Sequence, residues 1–450
     1  MTTTTKIEAR YQHLLGQLNQ AMLVTEADRV PLLRRIMQHL NQPDRHFHVI
    51  HLAGTNGKGS TGAMLARILQ AQGYQVGRFS SPAINDAREQ LQVNGRWITA
   101  AEFIDTYQEI VPVLTNMGLT AADVSIFEWF FLIGMVWFRN LGIDWAVVEA
   151  GLGGQYDATN ALAGPQITVF TKVALDHTAI LGSTITAIAR NKSKIIKPKT
   201  TVVTLANQAP AADTVFAAEA EAQNVPLVVA KQLKVHVQQR DITGTTVSMS
   251  SDLFDWSALK FGLVGDYQLQ NLSLVLTVVA VLQRQQVAIT TTAVRTGLQQ
   301  VRLPGRLTVL QKQPLIIADG AHNPDGMQAL VTSVQQLLPQ RPLVWVVGVL
   351  KDKDYEPMLQ QLVSAATMVI TNTPANPQRA LSADALVAVA QTVADEQQVQ
   401  PQIQAVSTIQ AALTLAQQAV ADNGAIIVTG SFYVMRELQQ TGWQVFSDGH

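Results

Sequence analysis

The run Val49-Ile50-His51-Leu52-Ala53-Gly54-Thr55-Asn56-Gly57-Lys58-Gly59-Ser60-Thr61 joins an apolar β-pattern to a glycine-rich turn that carries one lysine and adjacent hydroxyls. A helical period, Met64-Leu65-Ile68-Leu69, follows at once. Strand, glycine turn and helix in that order read as a phosphate-binding loop. Glycines let successive N–H groups turn toward an anion, and the helix N-terminus adds its positive end. Lys58 supplies a mobile charge, and Ser60 or Thr61 a hydroxyl within reach of a magnesium ion. The match to G-x-x-x-x-G-K-[ST] is partial, because Leu52 stands at the first glycine and Gly59 follows the lysine where a hydroxyl is usual. An ordinary glycine-rich turn is the competing reading of this stretch taken alone.

The chain has 450 residues, 47% of them hydrophobic, which is more than one typical core needs and predicts two domains. A formal net charge of −1 leaves no electrostatic footprint for nucleic acid or an acidic membrane face. With no cysteine, disulfides, thiolate metal sites and cysteine nucleophiles are all excluded. The opening Met1-Thr2-Thr3-Thr4-Thr5-Lys6 lacks the apolar run of a secretory signal. The most apolar stretch, Ile126 to Phe138, is interrupted by Glu128 and is too short to span a bilayer, so it reads as a buried helix. These features predict a cytoplasmic protein with small-molecule partners. The absence of coiled-coil heptads predicts a monomer.

Residues 7–40 carry helical periodicity and precede the loop strand without room for a separate domain. A second strand, Gln75 to Phe79, ends in Ser80-Ser81-Pro82, and helical patterns cover 100–113 and 121–139. Ile143 to Val148 is almost uninterruptedly apolar, as a central parallel strand buried on both faces should be, and it runs into Glu149. Ile167 to Phe170 leads to Asp176-His177, and the alternation then continues to about residue 298. The expected fold class is α/β: an N-terminal P-loop domain over 1–298 with a mainly parallel, doubly wound sheet, and a smaller Rossmann-like domain over 303–450. The second rhythm has strands at 315–318, 343–349, 367–371 and 425–429, and the glutamine-rich 391–404 reads as exposed. Ser80/Ser81, Glu149, His177, Asp319/His322 and Gly430/Ser431 all follow predicted strand ends, the edge where open α/β sheets bind ligands.

Together with the loop GTNGKGS, the segment Val148-Glu149-Ala150-Gly151-Leu152-Gly153-Gly154-Gln155-Tyr156-Asp157-Ala158-Thr159-Asn160 resembles the signature of folylpolyglutamate synthases and the related dihydrofolate synthases. Other stretches of that family follow in order: SSP at 80–82 with Glu89, FE at 127–128, LDHxxxLGxT at 175–184, a lysine-bearing run ending at Lys192, Gly265 to Asn271, PGR at 304–306, DGAHNP at 319–324, DKD at 352–354 and GSFY at 430–433. The resemblance implies an ATP-dependent amide ligase of the Mur ligase superfamily. Its first domain carries the P-loop, its second is Rossmann-like, and both contribute to holding ATP. A folate or dihydropteroate carboxylate would become an acyl phosphate and L-glutamate would attack it. Phosphorylation gives the carboxylate a leaving group, and a transferring phosphoryl group needs positive charge and positioning more than covalent help.

Carried over residue by residue, the resemblance gives Gly54, Thr55, Asn56, Gly57, Lys58, Gly59, Ser60 and Thr61 to the ATP phosphates, with Asn271, Arg306, Asp319 and His322 as the remaining nucleotide contacts. Two magnesium ions are implied, held by Ser60, Ser80, Glu149 and His177, together with a monovalent cation. Lys192 matches a lysine the family carries as a carbamate, and Lys58, His177 and Lys192 form the catalytic set. Ser81, Ser125, Phe127 and Asp157 match positions near the folate. Each has a plainer reading: Glu149 as a helix cap, His177 and Phe127 as packing residues, Lys192 as a surface lysine.

The chain departs from the family pattern at Ala83, Gln90, Gln155, Asn191, Ser193, Lys194, Tyr267, Leu303 and Arg436. Several of these lie around the expected acceptor site, so a nucleotide- or folate-binding paralogue with little turnover is the rival reading from another class. A Mur-type peptidoglycan ligase is the rival within the same chemistry, though such enzymes place a UDP-binding domain ahead of the P-loop.

Overall fold

The structure is a computed structural model and describes residues 3–20, 28–231, 234–250 and 255–445. In chain order, helices α1 (Thr3–Gln20) and α2 (Val30–His39) precede β1 (His48–Ala53) and α3 (Lys58–Gln72). Then come β2 (Val76–Phe79), β3 (Leu91–Val93), β4 (Arg96–Trp97), α4 (Ala100–Asn116), α5 (Ile126–Asn140), β5 (Trp145–Glu149) and β6 (Ile167–Phe170). The short α6 (Thr178–Leu181) leads to α7 (Ile185–Ser193), β7 (Thr201–Thr204), α8 (Pro210–Ala222) and β8 (Leu227–Val229). Strands β9 (Lys234–Asp241), β10 (Gly244–Ser250) and β11 (Asp255–Phe261) are followed by α9 (Asp266–Arg284) and α10 (Thr291–Gln300). The remainder is β12 (Thr308–Lys312), β13 (Leu315–Ala318), α11 (Pro324–Leu337), β14 (Leu343–Val347), α12 (Tyr355–Val363), β15 (Met368–Asn372), α13 (Ala383–Glu396), β16 (Gln402–Val406), α14 (Ile409–Ala419), β17 (Ala425–Thr429) and α15 (Phe432–Gln440).

By internal contacts the chain forms two compact units. The first gathers Met1–Val173, Ile185–Lys231 and Ser273–Gly297; the second gathers Ala174–Thr184, Gln232–Leu272 and Leu298–His450. The first unit carries an eight-stranded sheet in the order β4-β3-β2-β5-β1-β6-β7-β8. From β2 to β8 every pairing is parallel; β3 is antiparallel to both β2 and β4, so it alone runs the other way. This is the doubly wound sheet expected from the strand–helix alternation. Every residue of β5 is buried, because helices cover both faces of a parallel sheet. The apolar run at 126–138 is indeed a buried helix, with Trp129 to Phe138 all inside. Its single charge, Glu128, lies in the first turn, where it accepts from Ser125 N at 2.8 Å and from Arg29 Nε at 2.6 Å. No helix among the described residues is long and apolar enough to cross a membrane.

The second unit holds a six-stranded sheet, β12-β13-β17-β14-β15-β16, parallel except for β12. One feature differs from the sequence expectation. Residues 234–261 do not continue the parallel sheet but form a separate antiparallel one, β11-β10-β9. Only Ile242 and Thr243 separate β9 from β10, and a parallel crossover needs a dozen residues or more. The glutamine-rich 391–404 is mostly exposed, as expected, and comprises the end of α13 and the start of edge strand β16, whose open edge accounts for its polar composition.

Candidate active site

The first unit builds its site on the ends of β1, β2 and β5. Strand β1 is clamped between β5 and β6 by ladders on both sides, so the turn after Ala53 starts from a rigid base. That turn docks by its backbone, Thr55 N donating to Lys172 O at 2.7 Å. A Cβ on Gly54 would lie 1.8 Å from Thr171 Oγ1, and Gly57 takes φ +94° as N-cap of α3. Only glycine tolerates either position. Lys58 Nζ folds back on the loop, donating to Gly54 O at 2.8 Å and to Thr55 O at 3.4 Å. Lys192, buried on α7, donates its own Nζ to the same Gly54 carbonyl at 3.0 Å. Ser60 and Thr61 are buried in the first turn of α3, and Thr61 Oγ1 has no hydrogen-bond partner.

Glu149 ends β5 with 1% of its surface exposed. A carboxylate there needs a partner, and the register supplies one: Arg78 on β2 lies opposite Val147, two residues before Glu149 and on the same sheet face. Arg78 Nη2 reaches Glu149 Oε1 at 3.1 Å and Gly59 O at 3.2 Å. Glu149 also lies against α3, since a Cβ on Gly62 would meet its Oε1 at 3.1 Å.

The signature loop after Glu149 is held by side chains. Asp157, buried, accepts from Leu152 N at 2.8 Å, from Thr159 N at 3.0 Å and from the Thr159 hydroxyl, while burial pushes its carboxyl up. Asn191 Oδ1 accepts from Gly154 N at 2.9 Å, and Gln155 N donates to Asn191 O at 2.9 Å. Two departures from the family pattern, Gln155 and Asn191, are thus bonded to each other. Phe127 supports the same loop from beneath, because a Cβ on Gly151 would lie 2.5 Å from Phe127 Cζ. Ser125 is the N-cap of α5, and Ser80 and Ser81 follow β2, with Ser80 N donating to Gln90 O at 3.0 Å.

In the second unit the loop bearing His177 converges on the strand ends of the six-stranded sheet. Asp176 Oδ1 accepts from Lys353 Nζ at 2.6 Å, and its Oδ2 from Asn323 Nδ2 at 3.0 Å with His322 Nε2 at 3.7 Å. Lys353 also donates to His177 Nε2 at 3.4 Å. Burial alone would raise the Asp176 carboxyl, but Lys353 and then the two histidines outweigh it and hold it well below the usual carboxylate range. Burial and Lys353 push His322 down to about 4. Beside this cluster Asp319 accepts from Leu307 N and Ala321 N, each at 2.9 Å, and burial raises its carboxyl. Arg306 stacks on Phe432, its Cζ 4.9 Å from the ring centroid, and His322 lies 5.4 Å from the same ring. Asn271 is buried and donates to Gln268 Oε1 at 3.0 Å.

The expected residues therefore assemble as Gly54, Lys58 and Lys192 with the Glu149 edge in one unit, and as His177 with His322, and Arg306 with Asp319, in the other. Sequence reasoning missed Arg78, Asn323, Lys353 and Phe432 as site residues. The last three stand inside the DGAHNP, DKD and GSFY words; Arg78 could be found only once the pairing register was known. Among the described residues no three His, Asp or Glu side chains come together closely enough to cage a metal. The donors at the phosphate loop nevertheless suit magnesium, which usually takes one or two protein oxygens and completes its shell with nucleotide phosphates and water. Ser60, the unpartnered Thr61 hydroxyl and Glu149 are such a set.

Parallel sheets with a glycine loop after a central strand, and a second Rossmann-like sheet carrying an Asp–Arg–His cluster, define a Mur-type ligase architecture. Residues 136–279 match the Mur ligase middle domain family, and residues 305–432 match the Mur ligase glutamate ligase domain family. The folylpolyglutamate synthase of Lacticaseibacillus casei is 35% identical over 347 residues, covering 76% of this chain and 80% of that relative. The dihydrofolate synthase/folylpolyglutamate synthase of Bacillus subtilis is 32% identical over 338 residues, covering 74% and 78%. Among solved structures, the Mycobacterium tuberculosis folylpolyglutamate synthase complexed with ADP superposes with a TM-score of 0.86 at 27% identity, covering 99% of this chain and 100% of that one. The chain belongs to the folylpolyglutamate synthase/dihydrofolate synthase family of the Mur ligase superfamily and is an ATP-dependent ligase.

Proposed function

We propose that the protein joins L-glutamate to a folate carboxylate with cleavage of ATP to ADP and phosphate, and that it also accepts dihydropteroate. The observation that carries the reading is Lys58 Nζ folded onto Gly54 O and Thr55 O at the mouth of the glycine loop, which places a positive charge where a phosphoryl group would transfer. The folate carboxylate oxygen attacks the γ-phosphorus and ADP leaves. The glutamate amine then attacks the acyl carbon, phosphate departs, and the amine gives up its proton. Gly54 to Thr61 would surround the phosphates, and Asn271, Arg306, Asp319 and His322 would contact the nucleotide, with Phe432 backing Arg306. Ser60, Glu149, Ser80 and His177 are the residues for magnesium, which would neutralise phosphate charge. Ser81 and the loop held by Asp157, Ser125 and Phe127 would face the acceptor. The family matches at 136–279 and 305–432 fall one in each of the expected functional domains, 1–298 and 303–450, and support that division. The near-neutral charge and the lack of cysteine and coiled-coil heptads support a monomeric cytoplasmic enzyme.

The test measures ADP release with dihydropteroate, tetrahydrofolate and methylenetetrahydrofolate in parallel, with and without glutamate. Release that requires both glutamate and a folate is expected from the wild type and not from folded Lys58→Ala. ATP turnover indifferent to either co-substrate would overturn the reading.

A further inference from the structure

His51 is a polar residue in the middle of a strand whose neighbours are buried, and it is itself fully buried. Its Nε2 lies 2.8 Å from Thr159 Oγ1. The Thr159 hydroxyl has one proton, and it goes to Asp157 Oδ1. The oxygen can therefore only accept from His51, so the imidazole carries its proton on Nε2 and leaves Nδ1 bare, and Nδ1 is indeed without a partner. Burial keeps the ring neutral, pushing its pKa down to about 3. The result is a one-way chain, His51 N–H to Thr159 O–H to Asp157 carboxylate. It ties the signature loop to the strand that carries the phosphate loop.

The two ends of this chain are unequally held. Strand β1 has hydrogen-bonded neighbours on both sides and does not depend on a side chain for its place. The loop from Gly151 to Asp157 has no ladder and is held by the side chains of Asp157, Asn191 and Asn160 together with Gln155 N on Asn191 O. Loss of the His51 bond should therefore shift the loop and not the strand.

We propose that His51 is a positioning residue for the acceptor, acting through Thr159 on Asp157 to set the loop on which the folate is received. The inference rests on the acceptor reading of that loop given above. It distinguishes His51 from the phosphate loop three residues further on, which handles ATP.

The experiment compares wild type with His51→Gln, His51→Asn and Thr159→Val in the full-length chain, each checked by circular dichroism. A glutamine amide reaches the position of Nε2 and restores the donor; an asparagine amide is too short. His51→Asn and Thr159→Val should raise KM for tetrahydrofolate about tenfold, as expected for one buried hydrogen bond. KM for ATP should stay within about twofold, and His51→Gln should stay within about twofold of wild type in both. Hydrogen exchange should quicken at the Leu152 and Thr159 amides in His51→Asn and stay slow along β1, a readout available even for a variant too weak to assay. An unchanged folate KM in folded His51→Asn, equal shifts in both KM values, or equal loss of protection in β1 would overturn the proposal. If the wild type shows no folate dependence at all, the acceptor reading fails first and this inference falls with it.

Discussion

Lys58 and Lys192 place two ammonium groups on one carbonyl, an arrangement that repels itself in the absence of an anion. Converting Lys192 to a carbamate would turn that repulsion into attraction, and a carbamate next to a divalent cation is further held by the metal's charge. Lys192→Ala is therefore expected to lose roughly a hundredfold or more in kcat and to recover part of it when short-chain carboxylic acids are added. Full activity of the alanine variant without rescue would remove Lys192 from the mechanism. A second residue-scale outcome follows from His51. Its pKa, 6.5 in the unfolded chain, falls to about 3 in the fold, so between those values the unfolded state binds a proton that the folded state refuses. The stability owed to the neutral ring is complete above pH 6.5 and is lost as pH falls toward 3. Thermal melts across this range should show a steeper acid decline for wild type than for His51→Gln, and parallel curves would contradict the assignment.

At the scale of elements, the phosphate loop depends on how α3 is packed. Helix α10 approaches α3 through Gly297, where a Cβ would lie 2.6 Å from Ile68 N and 2.7 Å from its Cα. The obstacle is backbone, which cannot rotate aside as a side chain could. Gly297→Ala should accordingly cost about 1–3 kcal/mol by overpacking, despite alanine's better helix propensity, and urea melts would report it. An unchanged or raised midpoint would show that the helices separate freely. The apolar run of α5 was legible as buried because its interior positions carry no charge. The role of Glu128 in its first turn was not, since its partner Arg29 lies 99 residues away in sequence.

For the whole molecule, a ligand that binds only the native state stabilises it by mass action, about 2.7 kcal/mol at a hundred times its Kd. ADP with magnesium should raise the melting temperature in proportion to the logarithm of its concentration, and Lys58→Ala should blunt the rise. An equal response in the variant would place the nucleotide elsewhere. The sequence by itself determined the α/β class, the phosphate loop and the ligase family, because these depend on local order: apolar runs of strand length, glycines at a turn, and long words such as GLGGQYDATN and DGAHNP. Tertiary structure alone decided that Arg78 meets Glu149, that Lys192 reaches the Gly54 carbonyl 138 residues away, and that Asp176 is gripped by Lys353 across 177 residues. It also decided that residues 234–261 fold as an antiparallel sheet of their own. Such pairings come from strand register and chain return, which no local pattern encodes. A buried charge requires some partner, and only the packed fold says which one stands within reach.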